Sequence, residues 1–271
     1  MEIKSCIRFL IIQKILALQL FILGAISDAL GRESFYSQTN LPFILGERLE
    51  YDLKWGFFKV GTASMEVFSE HPQEPDGPKI VRFHVRTNSF ADAFYKVRTT
   101  VTSTLDSSFS KTLKYEKSQH EGSTHREIVV EYDYKKKEAK YFEGKNMTKI
   151  TPIPGPVFDP LSIAYFFRLH SLVPGGKTTL PTCDGKKFMQ VVVRTGKRER
   201  IKLPQGKIFA VGTSPEMENL GGVFNKSPKG MLEVWYSDDD RKVPVRVRSK
   251  VIVGSFTATL TKAFPALKLI D

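Results

Sequence analysis

One run of residues, Asp159-Pro-Leu-Ser-Ile-Ala-Tyr-Phe-Phe-Arg-Leu-His-Ser171, limits what this chain can fold into more than any other. It is the one strong helix signal in a sequence that otherwise reads as strands. The Asp159 carboxylate suits an N-cap, because it can accept from the free N–H groups of a first turn. Pro160 then falls at the first helical position, where its missing N–H costs nothing. Val173-Pro-Gly-Gly176 stops the helix. Leu161, Ile163, Ala164, Tyr165, Phe166, Phe167 and Leu169 leave no polar face, and a helix apolar nearly all round is buried. The stretch predicts a helix over 159–171 with a sheet wrapped on it.

The rest of the chain supplies that sheet. Glu47 to Trp55 alternates strictly: Leu49, Tyr51, Leu53 and Trp55 face one way, Arg48, Glu50, Asp52 and Lys54 the other. That is the pattern of a half-buried strand. Phe58–Phe68 follows, with small residues Gly61, Ala63 and Ser64 where something bulky could lie against the sheet. Strands are expected at 80–87, 95–105, 113–119, 127–134 and 138–142, joined by short polar turns. Residues 145–158 read as a Pro-rich approach to the helix. Strands resume at 188–194, 198–203, 207–213, 230–236, 242–253 and 255–262, and 214–229 reads as a loop. Short connections require antiparallel pairing, since parallel pairing needs long crossovers. The expectation is a mainly β fold: an antiparallel curled sheet or open β-barrel holding one buried helix. A sandwich, or two domains split near residue 150, are the rival arrangements.

The first residues belong to a different regime. Lys4, Arg8 and Lys14 precede a short apolar core over 15–27, and small residues follow at Ala25, Ser27, Ala29 and Gly31. The pattern is that of a secretory signal and is too short for a membrane span. The division is then a signal peptide at 1–31, a linker at 32–46, one β-rich domain at 47–264 and a tail at 265–271. Removing 1–31 takes away three basic and two acidic side chains, so the net charge of +12 falls only to +11. The mature chain keeps Cys183 alone, so no intramolecular disulfide braces it, and Cys183 reads as an ordinary small residue rather than a reactive thiol. Basic clusters at 135–137, 186–187, 197–200 and 241–250 favour anionic lipid or envelope polysaccharide over nucleic acid as a partner. The plainer alternative is a solvated basic surface.

Chemistry is sparse. The five histidines are scattered, and no paired-cysteine or His-Glu-x-x-His pattern exists, so no metal or other cofactor is expected. Phosphate loops, dinucleotide fingerprints and nucleophile elbows are absent. Asp238-Asp-Asp240 lacks the interleaved oxygen ligands of a calcium loop and reads as a hairpin tip. Arg168 is the charge that stands out. On a buried helix it must be paired, with Asp52 or Asp240 as candidate partners, or must reach a wet cavity and meet an anion. Tyr51, Trp55 and Trp235 are either core or the walls of a ligand slot.

Three landmarks occur in order: Gly46 to Trp55 followed by Val60-Gly-Thr-Ala63, Asp159-Pro-Leu-Ser162 with Phe167-Arg168, and Val234-Trp-Tyr-Ser-Asp-Asp-Asp240 running on to Pro244-Val245. Together they resemble the bacterial exported domain-of-unknown-function family 3108 over roughly residues 44–262. The resemblance implies an all-β envelope protein carrying a signal peptide and brings no activity with it. Two functions compete. One is a periplasmic carrier of an apolar anionic or lipid-like ligand, with Tyr51, Trp55, Arg168 and Trp235 at the site. The other is an envelope assembly factor with a filled core. An enzyme ranks third, because no catalytic constellation is present.

Overall fold

A computed structural model describes residues 41–74, 76–216, 232–250 and 255–270. The expected signal peptide, most of the linker, most of the 214–229 loop, and residues 230–231 and 251–253 of two expected strands lie outside these. The described strands are β1 (Arg48–Trp55), β2 (Phe58–Phe68), β3 (Lys79–Thr87), β4 (Val97–Leu105), β5 (Thr112–Glu121), β6 (Thr124–Asp133), β7 (Glu138–Glu143), β8 (Asn146–Pro152), β9 (Lys177–Cys183), β10 (Phe188–Leu203), β11 (Gly206–Pro215), β12 (Leu232–Ser237), β13 (Pro244–Lys250) and β14 (Ser255–Phe264). Two short helices accompany them, α1 (Ser89–Asp92) and α2 (Ser162–Arg168).

All fourteen strands form one antiparallel sheet, ordered β8-β7-β6-β5-β4-β3-β2-β1-β14-β13-β12-β11-β10-β9. β1 pairs with both β2 and β14 and so joins the two halves of the chain. Each remaining strand pairs with its sequence neighbour, and β8 and β9 are left as the two edges. The sheet curls but does not close. The segment between the edges spans the gap: Phe158 pairs with Thr182 of β9, while Thr112 N–H donates to the Val157 carbonyl. Tyr132 Oη donates to the Cys183 carbonyl at 2.5 Å and Thr151 Oγ1 to that of Gly185 at 2.7 Å, so the β9–β10 turn is tied to β6 and β8.

The departures from expectation have physical reasons. β8 and β9, the two edges, were not expected as strands. Five of the seven β8 side chains are exposed in a row, and β9 carries Pro181, which an edge strand tolerates. The two strands expected at 188–194 and 198–203 are one 16-residue strand with a bulge between Thr195 and Arg198. The small residues of β2 have different roles. A Cβ on Gly61 would lie 2.2 Å from the Arg86 carbonyl oxygen, so this glycine permits close approach of β3 rather than space for a ligand.

The helix is shorter than the sequence suggested, because its last turn tightens: Leu169 and His170 N–H donate to Phe166 and Phe167 carbonyls. Its start also comes later than expected: the helix begins at Ser162 with Leu161 as its N-cap and no side-chain cap bond, and Asp159 instead braces the turn before it. Asp159 Oδ1 accepts from the amides of Leu161 at 2.7 Å and Ser162 at 3.0 Å, and the Asp159 carbonyl accepts from Ile163. The same carboxylate accepts from Ser103 of β4 and Thr112 of β5 at 2.7 and 2.8 Å. A wholly buried carboxylate thus holds the turn that leads into the helix and fixes it to the sheet wall. Ile163, Tyr165 and Phe167 are buried in the main core beside Leu105, Val130 and Leu180.

Candidate functional site: an apolar cavity with one lysine

The concave face of the sheet is not filled by α2. A partly open cavity of about 200 Å³ remains between them. Pro160, Leu161, Ile163, Ala164 and Phe167 form its helical wall. The sheet wall follows from strand register. Met65, Phe83, Val101 and Lys117 stand side by side across β2, β3, β4 and β5, and all four line the cavity. Leu53, Ala258, Val247, Val234 and Thr213 form a second row across β1, β14, β13, β12 and β11 and line it too. Inward side chains alternate with outward ones along each strand, so two register rows suffice to build the wall.

Among the described residues, Lys117 is the only charged side chain on this lining. It makes no ion pair or hydrogen bond among the described residues. Burial pushes its ammonium down to about 8, opposed by Glu121 two inward positions along β5 and reinforced by Arg126. Glu121 itself is fully buried and engaged, accepting from Thr99 Oγ1 at 3.0 Å and Gln119 Nε2 at 2.9 Å. Lys117 therefore carries a cation into an apolar concavity where no carboxylate of the described residues neutralises it at contact distance. An anion that entered would do so, and its tail would displace nothing polar.

The four residues expected at a ligand site divide. Tyr51 lines the cavity, with Oη donating to the Pro244 carbonyl at 2.8 Å, and burial holds its hydroxyl well above the usual phenol range. Trp55 stacks on Phe256 beyond the lining. Trp235 does not line the cavity; it is buried in a second core cluster with Val245 and Leu260, its ring against Gly212.

Arg168 is not at a cavity mouth. It is 1% exposed, and its guanidinium forks onto Glu47 with Nη1–Oε1 2.5 Å and Nη2–Oε2 2.9 Å. Nε donates to the Arg241 carbonyl at 3.0 Å, and Arg241 also reaches Glu47. The guanidinium lies 4.8 Å from the Phe43 ring centre and 5.1 Å from that of Tyr165. Its donors are thus used inside the protein. The expected salt bridge is real, but its partner is Glu47 at the start of β1 and not Asp52 or Asp240.

Other candidates resolve as structure. Cys183 is buried, and its thiol is pushed up to about 12 by burial, which makes it unreactive. In the Asp238–Asp240 turn, Asp239 Oδ1 accepts from Ser237 Oγ and from the amides of Arg241 and Lys242, as a hairpin tip requires. No grouping of metal-ligating side chains occurs among the described residues. Among them, no helix is long and apolar enough to cross a membrane.

The profile of a family described as protein of unknown function (DUF3108) matches residues 50–261. No curated protein matches the chain. Among solved structures, the chain is similar to a beta-barrel-like protein of domain of unknown function DUF1849 from Brucella abortus. The TM-score is 0.52 at 10% identity, covering 81% of this chain and 97% of that one. At that identity the likeness speaks for the fold alone.

Proposed function

The chain belongs to the DUF3108 family of unknown function, and from that premise we propose that it is a non-enzymatic carrier of single-chain anionic amphiphiles. The carrying observation is Lys117, alone among apolar walls in a cavity that α2 leaves open. A carboxylate or similar head group would take the ammonium, and its acyl chain would lie along Met65, Phe83, Phe167 and Val234. A volume of about 200 Å³ holds roughly seven groups the size of a water or methylene at ~30 Å³ each. Short acyl chains fit wholly; longer ones would extend past the half-buried Leu53, Leu232 and Val247. Apolar burial contributes roughly 25 cal/mol per Å², less the cost of association.

This reading moves the anion-binding role from Arg168 to Lys117. The rival, an assembly factor with a filled core, fits less well with a concave face that is lined but unfilled. An environment-sensitive fatty-acid probe tests the choice. It should bind saturably, and Lys117→Met should weaken the acid roughly tenfold or more while sparing the neutral alcohol, since hydrogen bonds to charged groups contribute about 1.5–3 kcal/mol. Absence of saturable binding in folded protein, or equal loss for acid and alcohol, would remove the proposal. Residues 1–31 support export to the periplasm, with the mature chain starting near Arg32. A mature N-terminus still at Met1 would contradict that.

A further inference from the structure

A second feature lies outside the cavity, at the tip where β1 turns into β2. The hairpin closes through a two-residue turn, Gly56-Phe57, with Trp55 opposite Phe58. Gly56 has a φ of 56°, the left-handed conformation that a two-residue hairpin asks of its first turn residue. Phe57 follows as the outermost side chain and is 97% exposed; Phe58 is 62% exposed and Phe90 53%. Turn tips ordinarily hold Asn, Asp or Gly. Here Phe57 occupies one, with Phe58 directly after it at the start of β2.

Phe58, Phe90 and Phe94 form a single patch, and Phe57 precedes Phe58 at the turn. Phe58 stacks on Phe90 with centres 6.1 Å apart, and Phe90 meets Phe94 edge-on at 5.6 Å. α1 is held beside the hairpin by Asn88, whose Nδ2 donates to the Lys59 carbonyl at 2.7 Å and whose Oδ1 caps α1 at the Ala91 amide. The apolar tip is therefore built on ordered backbone. Its surroundings are basic. Lys54, Lys59, Arg86, Lys96 and Arg98 occur in the two stretches that form it, 54–62 and 86–98, against the single acid Asp92. Asp52 pairs with Lys59, and Asp92 with Arg98. Lys54 and Lys96 are exposed and have no ion pair among the described residues.

We infer that this tip docks on an anionic lipid bilayer, with Phe57 and Phe58 entering the interface and Lys54 and Lys96 on the head groups. Exposed contiguous apolar surface marks an interaction site. Aromatic rings partition to the head-group level, and each basic residue near an anionic surface adds attraction that salt weakens. A protein partner of the same apolar character would not call for the basic rim. The inference stands apart from the carrier reading and holds for a filled cavity as well as an empty one. The tip does lie close to the cavity, since Leu53 on its wall is two residues before Trp55.

Vesicle flotation with the full chain tests it, using phosphatidylcholine alone and phosphatidylcholine mixed with phosphatidylglycerol. Residues 1–40 are common to every variant, so differences belong to the tip. The chain should float with the mixed vesicles, less so as salt rises. Phe57→Ser with Phe58→Ser should lower that partition about tenfold or more, given the apolar area of two rings. Lys54→Ser with Lys96→Ser should weaken binding to mixed vesicles only. In Phe57→Trp, brominated lipid in the mixed vesicles should quench the new fluorophore. These sites are exposed, and unchanged thermal unfolding of each variant verifies the fold. Wild-type partition in the phenylalanine variant, equal binding to both vesicle types, or no quenching would overturn the inference. So would conversion of a dimer to a monomer in sedimentation with vesicle binding unaltered, which would assign the face to self-association.

Discussion

Replacing Lys117 with methionine keeps an unbranched stem of similar length and removes the ammonium. The structure gives the energetic consequence a sign. Burial takes Lys117 from an ordinary lysine's 10.5 to about 8. At about 1.4 kcal/mol per tenfold, such a fall corresponds to a ceiling of about 3 kcal/mol by which the charged form is disfavoured in the folded state. The side chain is half-buried, and water shares the cost, so roughly 1–2 kcal/mol is the working figure. Lys117→Met should therefore stabilise the ligand-free protein at pH 7 by about that much, in contrast to the usual substitution, which destabilises.

The pH dependence separates this from better packing. Below about pH 8 the lysine is protonated in both states and the folded state bears the full cost. Between about 8 and 10.5 the unfolded chain holds the proton and the folded chain does not, so stability from this group rises with pH. Urea unfolding at pH 7 and pH 10 should show the advantage of Lys117→Met narrowing at the higher pH, with m-values unchanged. Acid-probe affinity of the wild type should move the other way, falling as pH rises past about 8 and Lys117 loses its proton. A variant less stable than wild type at pH 7, or a difference equal at both pH values, would refute the reasoning. A charge held at a cost in stability and needed for binding is the mark of a functional group.

Two further outcomes follow from the helix. Glu47→Ala leaves the Arg168 guanidinium buried and unpaired and should cost about 3–5 kcal/mol in urea unfolding; a change under about 1 kcal/mol would mean the fork contributes little. Phe167, buried on α2, should lose about 3–5 kcal/mol on truncation to alanine, more than the half-buried Phe166; the reverse order in unfolding midpoints would contradict the assigned helix face.

What the sequence made legible depends on one-sided burial. Strict alternation in β1 and β4 exists because one face meets the core and the other meets water. β8 shows almost no such contrast, because five consecutive residues face solvent, and Pro181 masks β9. Both edges were therefore missed while the middle of the sheet was read within a few residues. That Asp159 holds amides at the helix entrance was readable because such bonds are local, though the helix itself starts at Ser162 rather than Pro160. The partner of Arg168 was not: Glu47 is far away in sequence, and only the curl of the sheet brings it to the helix end.

The candidate site was the least legible part. Lys117 sits in Glu116-Lys-Ser-Gln119, which looks polar on both faces. Its inward position follows from parity with Tyr115, since alternate residues of β5 share a face. That signal was present, though only register shows that the inward neighbours are Val101 and Phe83. Trp55 and Trp235 were expected at the site, but Trp55, on the face of Leu53, sits past the cavity at the hairpin end against Phe256. Trp235 is taken up by a second buried cluster with Val245 and Leu260.

Native mass spectrometry of gently purified protein tests the carrier reading most directly, comparing wild type with Ala164→Phe. Ala164 is half-buried on α2 and faces the cavity, so the added ring occupies the space a ligand would use. The account predicts a wild-type population carrying one added mass of an acidic single-chain amphiphile, released on denaturation, and a folded Ala164→Phe protein with that mass much reduced. A folded wild type seen only at its bare mass, and unchanged after incubation with excess fatty acid, would contradict it.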